Sequence, residues 1–153
     1  MKKLILGIAL LIAGTAVFSQ TLDDYMEVQR EALKTEKKAV VAEAMEFTEA
    51  ESEVFWPLYN EYNSKMYLHN TELYKLIKEY AENFEMLSNE KAIELWNKAI
   101  KIEQDLLSLE KQYFKKFQKI LPGRKVTRYF QVESKIKTLI DAELALEIPL
   151  VQQ

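Results

Sequence analysis

The 153-residue chain contains no cysteine, a single histidine, and only three glycines and three prolines. Without cysteine there is no disulfide framework, no lipid-modified N-terminal thiol and no thiol nucleophile, so stability has to come from packing. Gly7 and Gly14 fall in the first 19 residues, which leaves Gly123 as the only glycine beyond them. That scarcity excludes a fold built on tight glycine turns, and it excludes a glycine-rich phosphate loop. With His69 alone, neither a Ser-His-Asp nor a Cys-His set presents itself, and the paired Glu-x-x-His signature of di-iron bundles is missing. The expectation is a protein that is not an enzyme and needs no cofactor or metal. His69 reads as a buried or half-buried, hydrogen-bonded histidine on the inner stripe, opposite Leu106 and near Asp105. The alternative, a weak zinc site with Glu72 and Glu103, has too few strong donors.

Two lysines, Lys2 and Lys3, precede an apolar stretch from Leu4 to Val17, and Val17-Phe18-Ser19 resembles a cleavage site. At 14 residues the stretch is short of the roughly 20 that a membrane span requires. Residues 1–19 therefore read as a secretory signal peptide, and the expected location is exported and periplasmic. Its removal takes two of the 21 basic residues and none of the 24 acidic ones, so the remainder carries a formal charge of −5. An acidic balance of that kind argues against general nucleic-acid binding. Residues 20–153 have the length of one domain.

What is abundant is helical periodicity, and the fold expected is all-α with about four helices. A first helix over 22–45 carries Tyr25, Met26, Leu33, Val40 and Val41 among many charges. Thr48 and Glu51 form a capping box that opens a second helix over 49–84, with Phe55, Leu58, Tyr62, Met66, His69, Leu73, Leu76, Tyr80 and Phe84 at steps of three and four. Pro57 lies inside it, where the missing donor predicts a bend. Ser88 caps a third helix over 89–121, which Pro122-Gly123 stops, and a fourth runs over 125–146.

The short link 85–89 makes the second and third helices an antiparallel hairpin whose arms are on the order of 50 Å each, calling for an extended molecule or a dimer. With the turn at Leu87, Trp56 faces Phe117, Tyr62 faces Tyr113 and Ile77 faces Trp96. Thr48, Glu51, Trp56, Pro57 and Trp96 are thus assigned to capping and packing. A second row on the third helix, Ile93, Ile100, Leu107, Phe114 and Leu121, recurs every seven residues and is assigned to the fourth helix for cover.

Charge and aromatic patterning supply the candidate site. Glu43, Glu46, Glu49, Glu51 and Glu53 gather at the start of the second helix, and Lys111, Lys115, Lys116, Lys119, Arg124, Lys125 and Arg128 at the end of the third and beyond. Helix dipoles favour acids at N-termini and bases at C-termini, which accounts for the clusters structurally. The functional reading notes that Phe114, Tyr129 and Phe130 interleave with the bases, a surface suited to acidic unfolded segments or anionic lipid headgroups. Tyr59, Tyr67 and Tyr74 lie off the main stripe and extend the candidate partner-binding set, which is Tyr59, Tyr67, Tyr74, Lys111, Phe114, Lys115, Lys119, Arg124, Arg128 and Tyr129.

Phe47-Thr48-Glu49-Ala50-Glu51 resembles the first motif of the LTxxQ family of Spy/CpxP-like periplasmic helical proteins, with Phe for Leu and Glu for Gln. Leu87-Ser88-Asn89-Glu90-Lys91 keeps only the beginning of the second motif. Phe55 to Tyr62, Leu121 to Ile136 and Glu147 to Val151 are similar to stretches in small exported proteins labelled sensors of extracytoplasmic-function (ECF) sigma factors. The first resemblance implies a cradle-shaped dimer and ATP-independent chaperoning. The second implies a regulatory partner of a membrane anti-sigma factor or sensor. Expected partners are other envelope proteins or unfolded clients, with a homodimer and peripheral contact with anionic lipid as further options.

Overall fold

The computed structural model describes residues 33–152, and the expected signal peptide and the residues 22–32 of the first helix lie outside them. All secondary structure among the described residues is helical, and the fold is all-α. The chain divides into two compact units between Val40 and Val41. In the first, the described residues 33–40 are helical and mostly exposed. The second contains helical residues 41–45 and three long helices: α1 (Glu49–Asn83), α2 (Asn89–Phe117) and α3 (Gly123–Glu147), with a 3₁₀ turn, Phe84–Met86, between α1 and α2.

Each boundary has a local cause. Thr48 Oγ1 accepts from the Glu51 amide at 3.3 Å while Glu51 Oε2 accepts from the Thr48 amide at 2.9 Å, the reciprocal box that the sequence predicts. Just before it, Glu46 takes φ 45°, a left-handed conformation that a side chain with Cβ adopts at a cost. α1 continues without interruption through Pro57. Ser88 Oγ accepts from the Lys91 amide at 3.1 Å and starts α2.

The expected extension of α2 to 121 is not realised. The α-helix ends at Phe117, and the amides of Lys119 and Ile120 turn to carbonyls three residues back, at 3.1 Å each. Tightening the last turn in this way gives the Lys116 and Phe117 carbonyls donors before Pro122, which has no amide to continue the helix. The Pro122 carbonyl then accepts from Lys125 and Val126, so α3 begins at Gly123, two residues earlier than expected.

α1 and α2 form the predicted antiparallel hairpin, and α3 returns alongside, antiparallel to α2. The main core collects where α1 begins, α2 ends and α3 begins. Phe55, Tyr59, Tyr62, Tyr113, Phe117, Tyr129 and Phe130 pack there with Val41, Met45, Leu109, Leu121 and Val126. Phe117 is the hub, with ring centroids 5.3 Å from Phe55, 4.8 Å from Tyr129 and 5.8 Å from Phe130. Offset and edge-on pairs at such separations add about 0.5–1.5 kcal/mol each beyond burial.

The hairpin register agrees with expectation for Tyr62 and Tyr113, whose rings are 4.9 Å apart. It differs at the ends. Phe55, not Trp56, packs on Phe117, and Trp56 sits half-buried at the rim against Phe47, Phe55 and Tyr59. Trp96, assigned above to packing, is 70% exposed, and Leu95 takes the inward position. One residue is a rotation of about 100° on a helix, enough to exchange inside for outside.

The far end of the bundle is thinner. Its buried residues are Leu76, Leu95 and Leu106, supplemented by ion pairs of Glu79 with Lys91 (2.5 Å) and Lys98 (2.9 Å) and by the Tyr80 hydroxyl donating to the Pro149 carbonyl at 2.9 Å.

Candidate functional site

Of the seven bases near the end of α2, three are engaged inside the fold. Lys116 lies 4.3 Å from the Tyr113 ring centroid and pairs with Glu61 at 2.8 Å, and the Tyr113 hydroxyl donates to the same carboxylate at 2.6 Å. The Lys116 and Tyr113 hydrogen bonds hold the Glu61 carboxyl below its ordinary pKa. Lys125 pairs with Glu51, reaches the Glu46 carbonyl at 3.4 Å and lies over the Phe47 ring. Its hydrogen bond, with that of Thr48, lowers the Glu51 pKa. Arg128 Nε donates to the Ala44 carbonyl at 2.7 Å. These three side chains tie helices together. Arg128, expected in the partner-binding set, is therefore committed at least at Nε to capping residues 41–45.

The other four, Lys111, Lys115, Lys119 and Arg124, are exposed and have no ion pair among the described residues. The three lysines recur at four-residue steps through the last turns of α2 into the following turn, and Arg124 opens α3. Phe114 lies between Lys111 and Lys115 in sequence and is half-buried, its ring 5.2 Å from that of Phe130. It helps form a shallow groove of about 530 Å³ between α2 and α3, lined also by Thr127, Phe130, Gln131, Ser134 and Lys135.

Sequence reasoning missed Thr127, Gln131, Ser134 and Lys135. Their signal is the polar face of the last helix at steps of three and four. They become a wall only because α3 lies antiparallel to α2.

Two of the expected binding tyrosines belong elsewhere. Tyr59 is 3% exposed and Tyr129 fully buried, both within the aromatic core, so neither presents a surface to a partner. α3 supplies the reason, because it covers the side of α1 on which Tyr59 lies. The rings of Tyr59 and Tyr129 are 6.2 Å apart; the Tyr59 hydroxyl has no hydrogen-bond partner, whereas that of Tyr129 lies beside the Glu133 carboxylate. Burial raises the pKa of Tyr59, Tyr62 and Tyr129, and the negative charge of Glu133 nearby adds to the rise. Tyr67 and Tyr74 are half-buried along α1, away from the groove lining.

His69 is half-buried, and among the described residues no three His, Asp or Glu side chains are placed to hold a metal ion. Glu72 and Glu103 therefore do not assemble with it. Along α2, Ile93, Ile100 and Leu107 stay exposed. Only Phe114 and Leu121 of the heptad row are partly or fully covered, which corrects the expectation that the last helix hides the whole row. No helix among the described residues is long and apolar enough to cross a membrane.

The geometry describes an all-α bundle with an aromatic-floored groove at one end, whose one charged lining residue is Lys135. No protein-family model, curated protein or solved structure matches the chain.

Proposed function

We propose that this chain is an exported, periplasmic helical protein that binds exposed segments of other envelope proteins, as a chaperone-like or stress-response factor. It binds without catalysing a reaction, and it uses no cofactor. The observation that carries the reading is the set of four exposed cations without ion pairs among the described residues, Lys111, Lys115, Lys119 and Arg124, in the same stretches of chain that supply Phe114 and Phe130 to the groove. An unfolded acidic segment carrying aromatic or aliphatic side chains satisfies both parts. Its carboxylates meet mobile ammonium and guanidinium groups, and its apolar side chains meet an aromatic floor. The groove is open and shallow, which suits weak, exchangeable contact with varied sequences.

The resemblance of residues 47–51 to the LTxxQ motif supports the same reading, since that family is associated with the envelope and with client binding. Regulation of a membrane anti-sigma factor is the competing reading, and it rests on the likeness of residues 55–62, 121–136 and 147–151.

Aggregation of a chemically denatured acidic protein, followed by light scattering in low salt, tests the proposal. Suppression at a few-fold molar excess is expected, weakening as salt rises to about 0.3 M because the contacts are screened. Lys111→Glu with Lys115→Glu should abolish most of it while leaving helicity unchanged. No suppression at excess protein in low salt overturns the proposal. Recovery of one stoichiometric membrane partner by crosslinking, without other clients, moves the assignment to signalling.

A further inference from the structure

A second groove, of about 450 Å³, runs between α2 and α3, and acids line it where Lys135 lines the first. Its apolar part includes Trp96, Ile100 and Leu107, which are 70%, 42% and 49% exposed and share one side of α2 through their spacings of four and seven. Glu103 and Glu110 are also seven residues apart and follow one edge of the same side, and Lys137 is the lining residue from α3.

The charges of the groove do not cancel internally. Lys137 is shared by two acids, at 2.6 Å from Asp141 and 3.7 Å from Glu103. Glu110 is half-buried and has no ion pair among the described residues. Three carboxylates thus accompany one ammonium. The neighbouring bases of α2 are committed elsewhere, Lys98 to Glu79 at 2.9 Å and Lys101 to Asp105 at 2.8 Å.

We propose that this groove docks a basic amphipathic helix of a partner protein. Such a helix carries apolar residues at steps of three and four with lysine or arginine beside them, and it answers every part of the groove. Its apolar side chains pack on Ile100 and Leu107, its cations meet Glu103 and Glu110, and one cation lies against Trp96, whose indole attracts cations more strongly than the other aromatic rings. From Trp96 to Glu110 is 14 residues, about 21 Å of helix, so the groove accommodates about four turns. An anionic lipid surface or an acidic segment meets like charge here, and a second copy of this chain brings the same acids to the seam. The site shares no residue with the cluster proposed for acidic clients and does not depend on it.

Trp96 reports occupancy directly, because Trp56→Phe leaves it the only tryptophan. In that background, titration in low salt with a synthetic leucine-lysine amphipathic helix of about 14 residues should move the Trp96 emission to the blue and saturate. A leucine-glutamate helix of the same pattern should leave the emission unchanged. Glu103→Gln with Glu110→Gln is expected to weaken binding about tenfold. Ile100→Glu is the sharper variant, since it adds a carboxylate while removing apolar contact, and it should weaken binding with helicity unchanged. The absence of a saturable shift with the leucine-lysine helix overturns the proposal. So does Ile100→Glu that binds this helix as tightly as the parent does, because charge alone then accounts for the contact. An emission that shifts with protein concentration alone assigns the groove to a second copy and overturns the proposal as well.

Discussion

The enclosed tyrosines allow a test of the core in which loss of an atom strengthens the protein. The Tyr129 ring lies 5.0 Å from Phe55, 4.8 Å from Phe117 and 5.1 Å from Phe130, and the Tyr59 ring lies 5.6 Å from Phe55. Phenylalanine at either position keeps those ring contacts. At Tyr59 what it removes is a hydroxyl stripped of water with no hydrogen bond in return, and leaving such a group buried costs about 1–3 kcal/mol. Tyr59→Phe is expected to hold or raise stability at neutral pH, by about 1 kcal/mol, and Tyr129→Phe to gain less because its hydroxyl lies beside Glu133.

The same substitutions change the alkaline limb. Burial, reinforced by Glu133, lifts the folded-state pKa of Tyr59, Tyr62 and Tyr129 above the value of about 10 in the unfolded chain. Stability from these phenols is fully present below about pH 10. Above that the unfolded chain loses its phenolic protons first, and each tyrosine lowers stability by about 1.4 kcal/mol per pH unit until its folded pKa is reached. The double variant Tyr59→Phe, Tyr129→Phe should therefore lose about 2.8 kcal/mol per pH unit less than wild type over this range. The slope difference isolates the two phenols from the lysines, Lys91, Lys98 and Lys116, which carboxylate hydrogen bonds also shift upward. Urea denaturation followed by circular dichroism at about pH 7, 10 and 11 gives the numbers. A loss of more than about 1 kcal/mol at pH 7, or an alkaline slope identical to wild type, refutes the reasoning.

Two backbone positions give sharper local tests. Glu46 at φ 45° bears a left-handed strain of about 1–2 kcal/mol that glycine lacks, so Glu46→Gly should be neutral to about 1 kcal/mol stabilising by thermal denaturation. β-Branched Glu46→Val should lose at least 1 kcal/mol in the same assay, and equal melting temperatures for the two would remove the strain argument. Gly123 occupies the first turn of α3 with open space where a Cβ would sit, so it has no steric need to be glycine. Gly123→Ala should stabilise by about 0.4–1 kcal/mol through a less entropic unfolded chain, and a measured loss would contradict the open geometry.

By itself the sequence determined the helices and their punctuation. Thr48 with Glu51, Ser88, and Pro122 act within a few residues of themselves, and local hydrogen bonds do not wait for tertiary contacts. The hairpin was legible for a similar reason, since a five-residue link leaves two long rods little choice but to fold back.

Which side of each rod lies inside was decided only when three helices came together. Tyr59 and Tyr129 looked like surface anchors from their position beside the stripe, and they became core because α3 closes over α1. Trp56 and Trp96 looked like core and stand at the rim and outside, because a turn of about 100° separates them from Phe55 and Leu95. The basic cluster divided in the same way. Lys116, Lys125 and Arg128 each found an acceptor on another segment, while Lys111, Lys115, Lys119 and Arg124 stay exposed, without an ion pair among the described residues. Periodicity marks a helix as having an apolar side, but the width of that side exceeds what one neighbour covers. The angle at which the next helix arrives selects the residues that are buried and those left for a partner.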